Sequence, residues 1–375
     1  MLLRHARHEG WLGKYLIMTH FLDDILRQPR ALASTLEFFG GAGARSLEAA
    51  AAVLRRASHV YLTGIGSSYH AALGAGSYLH QASCPVHLLD AAELVHFAAF
   101  PPDSALAVIS RSGQSVEVVN LLEKARESKT TVIGLTNAEN ASLAEQAQIP
   151  IVIPADFDHA ISVNTYSTLA AGVCSLAAAA LGRFDSDLQR AVLGSIDKTS
   201  QAIPVWRQKI SRTSWFASES SYYFLARGAS LASCHEARLL WEEGAKHPAT
   251  SMGTGGFRHG PQEIVMDGSR FGLWIDPHLL REEDLAVARD LRKLGASVML
   301  IGHDLPEDSA DLVLQTPESP QGWQFLFDII PAQLAAEHFA RLLNVDCDSF
   351  RVCSYIVRGE FGLLSGEEIS PQKDS

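Results

Sequence analysis

Several signatures that would assign chemistry at a glance are missing from this chain. The five cysteines (Cys84, Cys174, Cys234, Cys347, Cys353) contain no C-x-x-C pair, and there is no H-E-x-x-H or cysteine–histidine pattern of metal-ligand spacing. No disulfide framework, metal or other cofactor is therefore expected, and reduced thiols in a cytoplasm are the simplest reading. The opening "MLLRHARHEGWLGKYLIM" lacks the continuous apolar core of a secretory signal. Long apolar runs are also lacking: "LAAGVCSLAAAALG" from Leu169 falls short of the roughly 20 residues a membrane span needs, so it is read as a buried helix. Positive charge is scarce, and a net charge of −11 argues against nucleic acid or an anionic membrane surface as partner. An anionic ligand would have to be held by local groups.

One further absence is the most informative. "VYLTGIGSSYHAALGA" begins like a dinucleotide-binding strand, turn and helix, but the third glycine of G-x-G-x-x-G is Tyr69. What remains is a strand-to-helix turn with the hydroxyls of Ser67 and Ser68 beside free N–H groups at a helix start, which suits an anion such as phosphate. A second turn, "SRSGQS", groups Ser110, Ser112 and Ser115 around Gly113. A serine at a helix start ordinarily caps it. Two such turns at the same end of one sheet favour a shared anion site instead. "SVNTYST" adds Ser162, Asn164 and Thr165 at the start of a third helix.

The chain is long for one hydrophobic core at 375 residues, 47% of them hydrophobic and 19% charged. A helical pattern around Phe21, Leu22 and Ile25 is read as broken at Pro29 and then resumed. Short apolar runs then alternate with helical periods: "HVYLTG", "LAVIS", "TVIGLT" and "IPIVIP". After a polar, weakly patterned stretch near Ser195 to Ser214 the order repeats with "SYYFLARG", "FGLWID", "SVMLIGHD" and "DLVLQT". The expected fold is α/β: two tandem doubly wound parallel sheets, flavodoxin-like αβα sandwiches, at residues 46–195 and 205–345. A helical arm at 1–45 precedes them and a tail at 346–375 follows. Only the first copy keeps hydroxyl-rich turns.

"CHEARLLWEEGAKHP" puts Glu236, Leu240 and Glu243 on one helix face and turns Glu242 elsewhere. Such glutamates are ordinarily solvated. A carboxylate in a partly apolar site can also be tuned toward moving a proton near neutral pH, a range in which histidine titrates too. His70, His235 and His247 are read as structural.

Taken together, "GSSYHA", "SRSGQSVEVV", "GLTNAENASLA", "ARGASLASCHEARLLWEE", "GFRHGPQEIV" and "DILRQPRAL" resemble the sugar isomerase (SIS) domain proteins. The resemblance is to the isomerase half of glutamine–fructose-6-phosphate aminotransferase in particular, and "GFRHGP" also resembles the tagatose/galactosamine-6-phosphate isomerase branch. It implies two SIS domains in which Ser67, Ser68, Ser110, Ser112 and Ser115 hold a sugar phosphate. Arg111 stands where the aminotransferase has glutamine, and Ser162 lies near the sugar. It makes Glu243 the enolisation base and His259 the ring-opening group, with Glu236 a further catalytic carboxylate. It also implies a homodimer in which each site borrows His259 from the partner. No glutamine-hydrolysing domain is expected in this chain. Two family lysines are replaced, one by Leu240 and the Schiff-base lysine by Tyr355, so covalent capture of the sugar is not expected. The expected activity is isomerisation of a ketose, aldose or amino-sugar 6-phosphate. A deaminase or fructosamine-phosphate deglycase on the same site, or a non-catalytic sugar-phosphate sensor, is the alternative.

Overall fold

Alternation along the strands explains the layering of the molecule. The computed structural model describes residues 18–360 and 362–363. The arm's first 17 residues and the end of the tail lie outside that range. In β1 (His59–Thr63) and β3 (Ser104–Ser110), Leu62, Ala105, Ala107 and Ile109 point to one side, while Tyr61, Leu106 and Val108 point to the other. Both faces are covered, as parallel sheets require.

The first sheet is parallel and has the order β2-β1-β3-β4-β5, where β2 is His87–Leu88, β4 is Thr131–Thr136 and β5 is Ile149–Val152. The second is also parallel, with the order β10-β9-β8-β6-β7. Its strands are β6 (Tyr222–Ala226), β7 (Ala249–Gly253), β8 (Arg270–Trp274), β9 (Ser297–Gly302) and β10 (Leu312–Gln315). Numbered afresh from β6, the second order repeats the first, and both are the flavodoxin-like order. One large core lies between the two sheets, built on the helices His20–Gly40, Asn164–Ala180, Leu231–Glu243 and Ile330–Leu342. Smaller cores cover the outer faces, one on Tyr61, Leu106 and Leu121, the other on Phe271, Leu273 and Leu291.

The structure corrects two local expectations. The helix His20–Gly40 is continuous through Pro29. Proline removes the N–H that would bond the Ile25 carbonyl, and the buried Gln28 side chain replaces it, its Nε2 donating to Ile25 O at 3.2 Å and to Gln333 Oε1 at 2.6 Å. The polar stretch near Ser195 to Ser214 belongs to the helix Ser186–Arg212, apart from its last two residues. Its buried stripe includes Ser195 and Thr199; the Ser195 hydroxyl donates to Glu318 O (2.9 Å) and Ala191 O (3.1 Å) and the Thr199 hydroxyl to Ser195 O (2.8 Å), so the apolar period is disguised. "SMG" before His259 forms the end of edge strand β7. A single helical turn, Thr254–Phe257, follows it.

Candidate active site

The first sheet changes direction between β1 and β3, and the two serine-rich turns leave it there. Gly64 follows β1 so close to its neighbours that a Cβ would lie 2.8 Å from Ile109 O and 2.7 Å from the Ser68 carbonyl carbon. Only glycine lets the helix Ser67–Gln81 start that near the sheet. In the second turn Gly113 has φ +60°, a left-handed bend that glycine adopts without strain. Around it Ser110 Oγ accepts from Gly113 N (3.0 Å) and Ser112 Oγ accepts from Gln114 N (3.2 Å). Ser115 occupies the N-cap position of the helix Val116–Glu127, yet its side chain caps nothing. The Ser68 and Ser115 hydroxyls have no hydrogen-bond partner among the described residues.

These turns open into a cavity of about 240 Å³ that Ser67, Ser68, Ser110, Ser112, Ser115 and Ser162 all line. The tail forms its other wall, with Phe350 and residues 353–357. Arg111 lines the cavity too and is far from a lone surface arginine. Its guanidinium lies 4.1 Å over the Tyr355 ring and donates to Tyr355 O (3.1 Å) and Ala160 O (3.3 Å). Tyr355 OH donates to Asp158 O at 3.0 Å, and Val116 N donates to Val357 O at 3.0 Å. The tail is thereby tied to both sides of the cavity.

The helix Leu231–Glu243 approaches from the second sheet. Glu243, at its end, lines the cavity and has no hydrogen-bond partner for its carboxyl among the described residues. Burial, reinforced by the negative charge of Glu236, pushes its pKa up from 4.5 to about 7, against the opposing pull of Arg111 and Lys246. At neutral pH both protonation states are then populated, which is the condition for proton transfer. Glu236 is fully buried and sits behind Ser67 rather than in the cavity lining. Its Oε1 accepts from Ser67 Oγ at 2.9 Å, and its Oε2 lies 2.7 Å from His70 Nδ1. Leu240 is fully buried in the core, and Glu242 pairs with Arg238 at 2.6 Å.

His259 is exposed, between the turn Thr254–Phe257 and the 3-10 turn Pro261–Ile264, and does not line this cavity. His235 bonds Ser251 Oγ (2.8 Å), and burial pushes its pKa down to about 4, so it is neutral. His247 bonds the carbonyls of Pro248 and Ser218.

Two contacts behind the site carried no signal in the sequence. His70 is the buried partner of Glu236, a contact that only the packing of two distant helices creates. Asp158 receives Asn164 N (2.7 Å), Thr165 N (3.1 Å) and the Thr165 hydroxyl, and so caps the helix that carries Ser162 at its entrance. The N-cap residue itself is Val163, which has no capping group, so no local capping signal marked Asp158.

A parallel sheet with a hydroxyl-rich turn at its switch point, and a buried carboxyl lining the same cavity, defines an α/β protein that can hold an anion beside a proton-transfer group. Residues 53–181 match the SIS domain family, and the chain carries a SIS domain. A curated relative named glutamine–fructose-6-phosphate aminotransferase [isomerizing], from Pyrobaculum aerophilum, is 27% identical over 355 residues. That match covers 88% of this chain but 56% of the relative, so the chain spans little more than half the relative's length. Two solved structures share the fold. Tagatose-6-phosphate ketose/aldose isomerase from Escherichia coli superposes with a TM-score of 0.76 at 19% identity, covering 88% of this chain and 94% of that one. Glucosamine-6-phosphate deaminase from Thermotoga maritima gives 0.75 at 19% identity, covering 90% and 99%.

Proposed function

We propose that this chain is a phosphosugar isomerase acting on a ketose, aldose or amino-sugar 6-phosphate. The observation that carries this reading is the Glu243 carboxyl, unpartnered and pushed up to about 7, in the same cavity as the serine turns. Glu243 takes the proton from the carbon next to the carbonyl of the open-chain sugar, giving an enediol. It returns that proton to the neighbouring carbon while the oxygens exchange theirs. The phosphate, which only accepts hydrogen bonds, is held by hydroxyl protons of the two turns and by Arg111. No metal or other cofactor enters this scheme. We further read the two sheets as tandem SIS units at 46–195 and 205–345, flanked by the arm and the tail; their common strand order supports this.

Ring opening is assigned to His259 of a partner subunit in a homodimer, because in its own subunit this residue is exposed and outside the cavity lining. Mixing inactive Glu243→Gln and His259→Ala dimers tests it: exchanged heterodimers regain one intact site. If subunits exchange and no activity returns, the shared site is wrong.

The central test is exchange of the C2 proton with solvent on a panel of sugar 6-phosphates. Glu243→Gln should abolish exchange and leave phosphate affinity unchanged, and undiminished exchange would reject the base assignment. Release of ammonia from glucosamine- or galactosamine-6-phosphate separates deamination from isomerisation, and release of a free amine from a phosphorylated fructosamine identifies a deglycase. A sugar-phosphate sensor is the second reading, favoured by the loss of both family lysines at Leu240 and Tyr355. Tight binding without conversion of any panel member would select it.

A further inference from the structure

The hydroxyl groups of the cavity are not equivalent, because some of their protons are already committed. Ser67 Oγ donates to the buried carboxylate of Glu236 at 2.9 Å. A carboxylate offers only acceptors, so this bond consumes the single proton of Ser67 and leaves lone pairs facing the cavity. Ser162 is in the same position by one more step. The Asp158 carboxylate receives Asn164 N, the Asn164 side-chain amide, Thr165 N and the Thr165 hydroxyl, all donors. The Thr165 proton being taken, the 2.9 Å contact between Ser162 Oγ and Thr165 Oγ1 has Ser162 as donor. The other serines differ. Ser110 and Ser112 use lone pairs to accept from Gly113 N and Gln114 N, so their protons remain free. Ser68 and Ser115 have no hydrogen-bond partner among the described residues.

We propose that the cavity has two chemical poles: Ser68, Ser110, Ser112 and Ser115 donate to the phosphate, while Ser67 and Ser162 accept O–H or N–H groups of the sugar, with Glu236 as the positioning residue that fixes the polarity of Ser67. This rests on the phosphate reading of the cavity and removes Ser67 from the phosphate cradle. A phosphate dianion has no proton to give, so it cannot use Ser67 while Glu236 holds its proton. The ligand class becomes narrower than a phosphate ester. It must carry hydrogen-bond donors, hydroxyl or amino, at two places besides its phosphate. Glu236 touches no ligand in this scheme. Its second oxygen is occupied by His70 Nδ1 at 2.7 Å, which keeps the carboxylate from rotating away from Ser67.

Calorimetric titration of the full chain with two unreactive probes tests the proposal. Glucitol 6-phosphate offers a dianion and several hydroxyl donors, and n-propyl phosphate offers the same dianion with no other donor. Ser67→Ala should weaken glucitol 6-phosphate roughly fivefold, the worth of one neutral hydrogen bond, and leave n-propyl phosphate within twofold of wild type. Ser162→Ala should behave the same way. Ser115→Ala should weaken both probes by a similar factor. Glu236→Gln presents an amide that can donate to Ser67 and free its proton, so the preference for glucitol 6-phosphate over n-propyl phosphate should fall, a change that general loosening of the fold would not produce. If that variant fails to fold, the two serine variants decide the matter. Equal losses for both probes in Ser67→Ala, or no loss for either, overturn the two-pole assignment while leaving the phosphate site standing. A wild-type protein that binds neither probe refutes the phosphate reading itself, and the poles with it.

Discussion

Removing the charge of Glu243 should stabilise the protein in a pH-dependent way. The carboxyl makes no hydrogen bond with the described residues, so Glu243→Gln breaks none and keeps nearly the same volume. In the folded chain burial raises its pKa from 4.5 to about 7. A group whose folded pKa is raised contributes its full stability below the unfolded value and loses it as the pH climbs through the folded value, here between 4.5 and about 7. Forcing the carboxyl to ionise above that window costs about 3 kcal/mol at about 1.4 kcal/mol per pH unit, and the open cavity side screens this to about 1–2 kcal/mol. The glutamine variant avoids that cost. Urea unfolding of both proteins should give equal stabilities near pH 4.5 and a variant more stable by about 1–2 kcal/mol at pH 8.5. Asp328, whose pKa burial also raises to about 7, contributes equally to both proteins and cancels in the difference. A stability gap that stays constant between these pH values, or one that favours the wild type at pH 8.5, would refute the raised pKa. The same group, acting as base, predicts turnover that rises with pH through about 7.

Gln28→Leu should destabilise the fold by about 2–4 kcal/mol by thermal or urea unfolding, since it strands the Ile25 carbonyl next to Pro29 together with the buried Gln333 and Ser167 side chains. Adding Pro29→Ala should recover part of that loss by restoring the backbone donor. Gly64→Ala should cost about 2–3 kcal/mol, because backbone atoms of Ile109 and Ser68 cannot yield to a Cβ. The same substitution should weaken n-propyl phosphate binding, read by calorimetry, by displacing Ser68. Tyr355→Ala removes the ring under Arg111 and one tie of the tail, so Arg-specific proteolysis at Arg351 or Arg358 should cut the tail faster than in wild type.

The amino-acid order alone was enough for the parallel α/β class, the repeated strand order, the two serine turns and the glutamate face of the helix Leu231–Glu243. Each of these is written in neighbouring residues: apolar runs bounded by turns, glycine where the chain bends, and a helical period that puts residues 236, 240 and 243 together. Local pattern failed where polar side chains sit buried on a helix because carbonyls take their protons, as for Ser195 and Thr199, or where a side chain repaired a proline, as Gln28 does. The chemistry of the candidate site was decided by tertiary structure. Ser67 and Glu236 are 169 residues apart in the chain, and only their contact fixes which way the hydroxyl proton points. Arg111 meets Tyr355 across 244 residues, which turns a nondescript arginine into a wall of the cavity. The proton affinity of Glu243 depends on how much protein surrounds it and on which charges face it, and both are properties of packing that a residue's sequence neighbours do not carry.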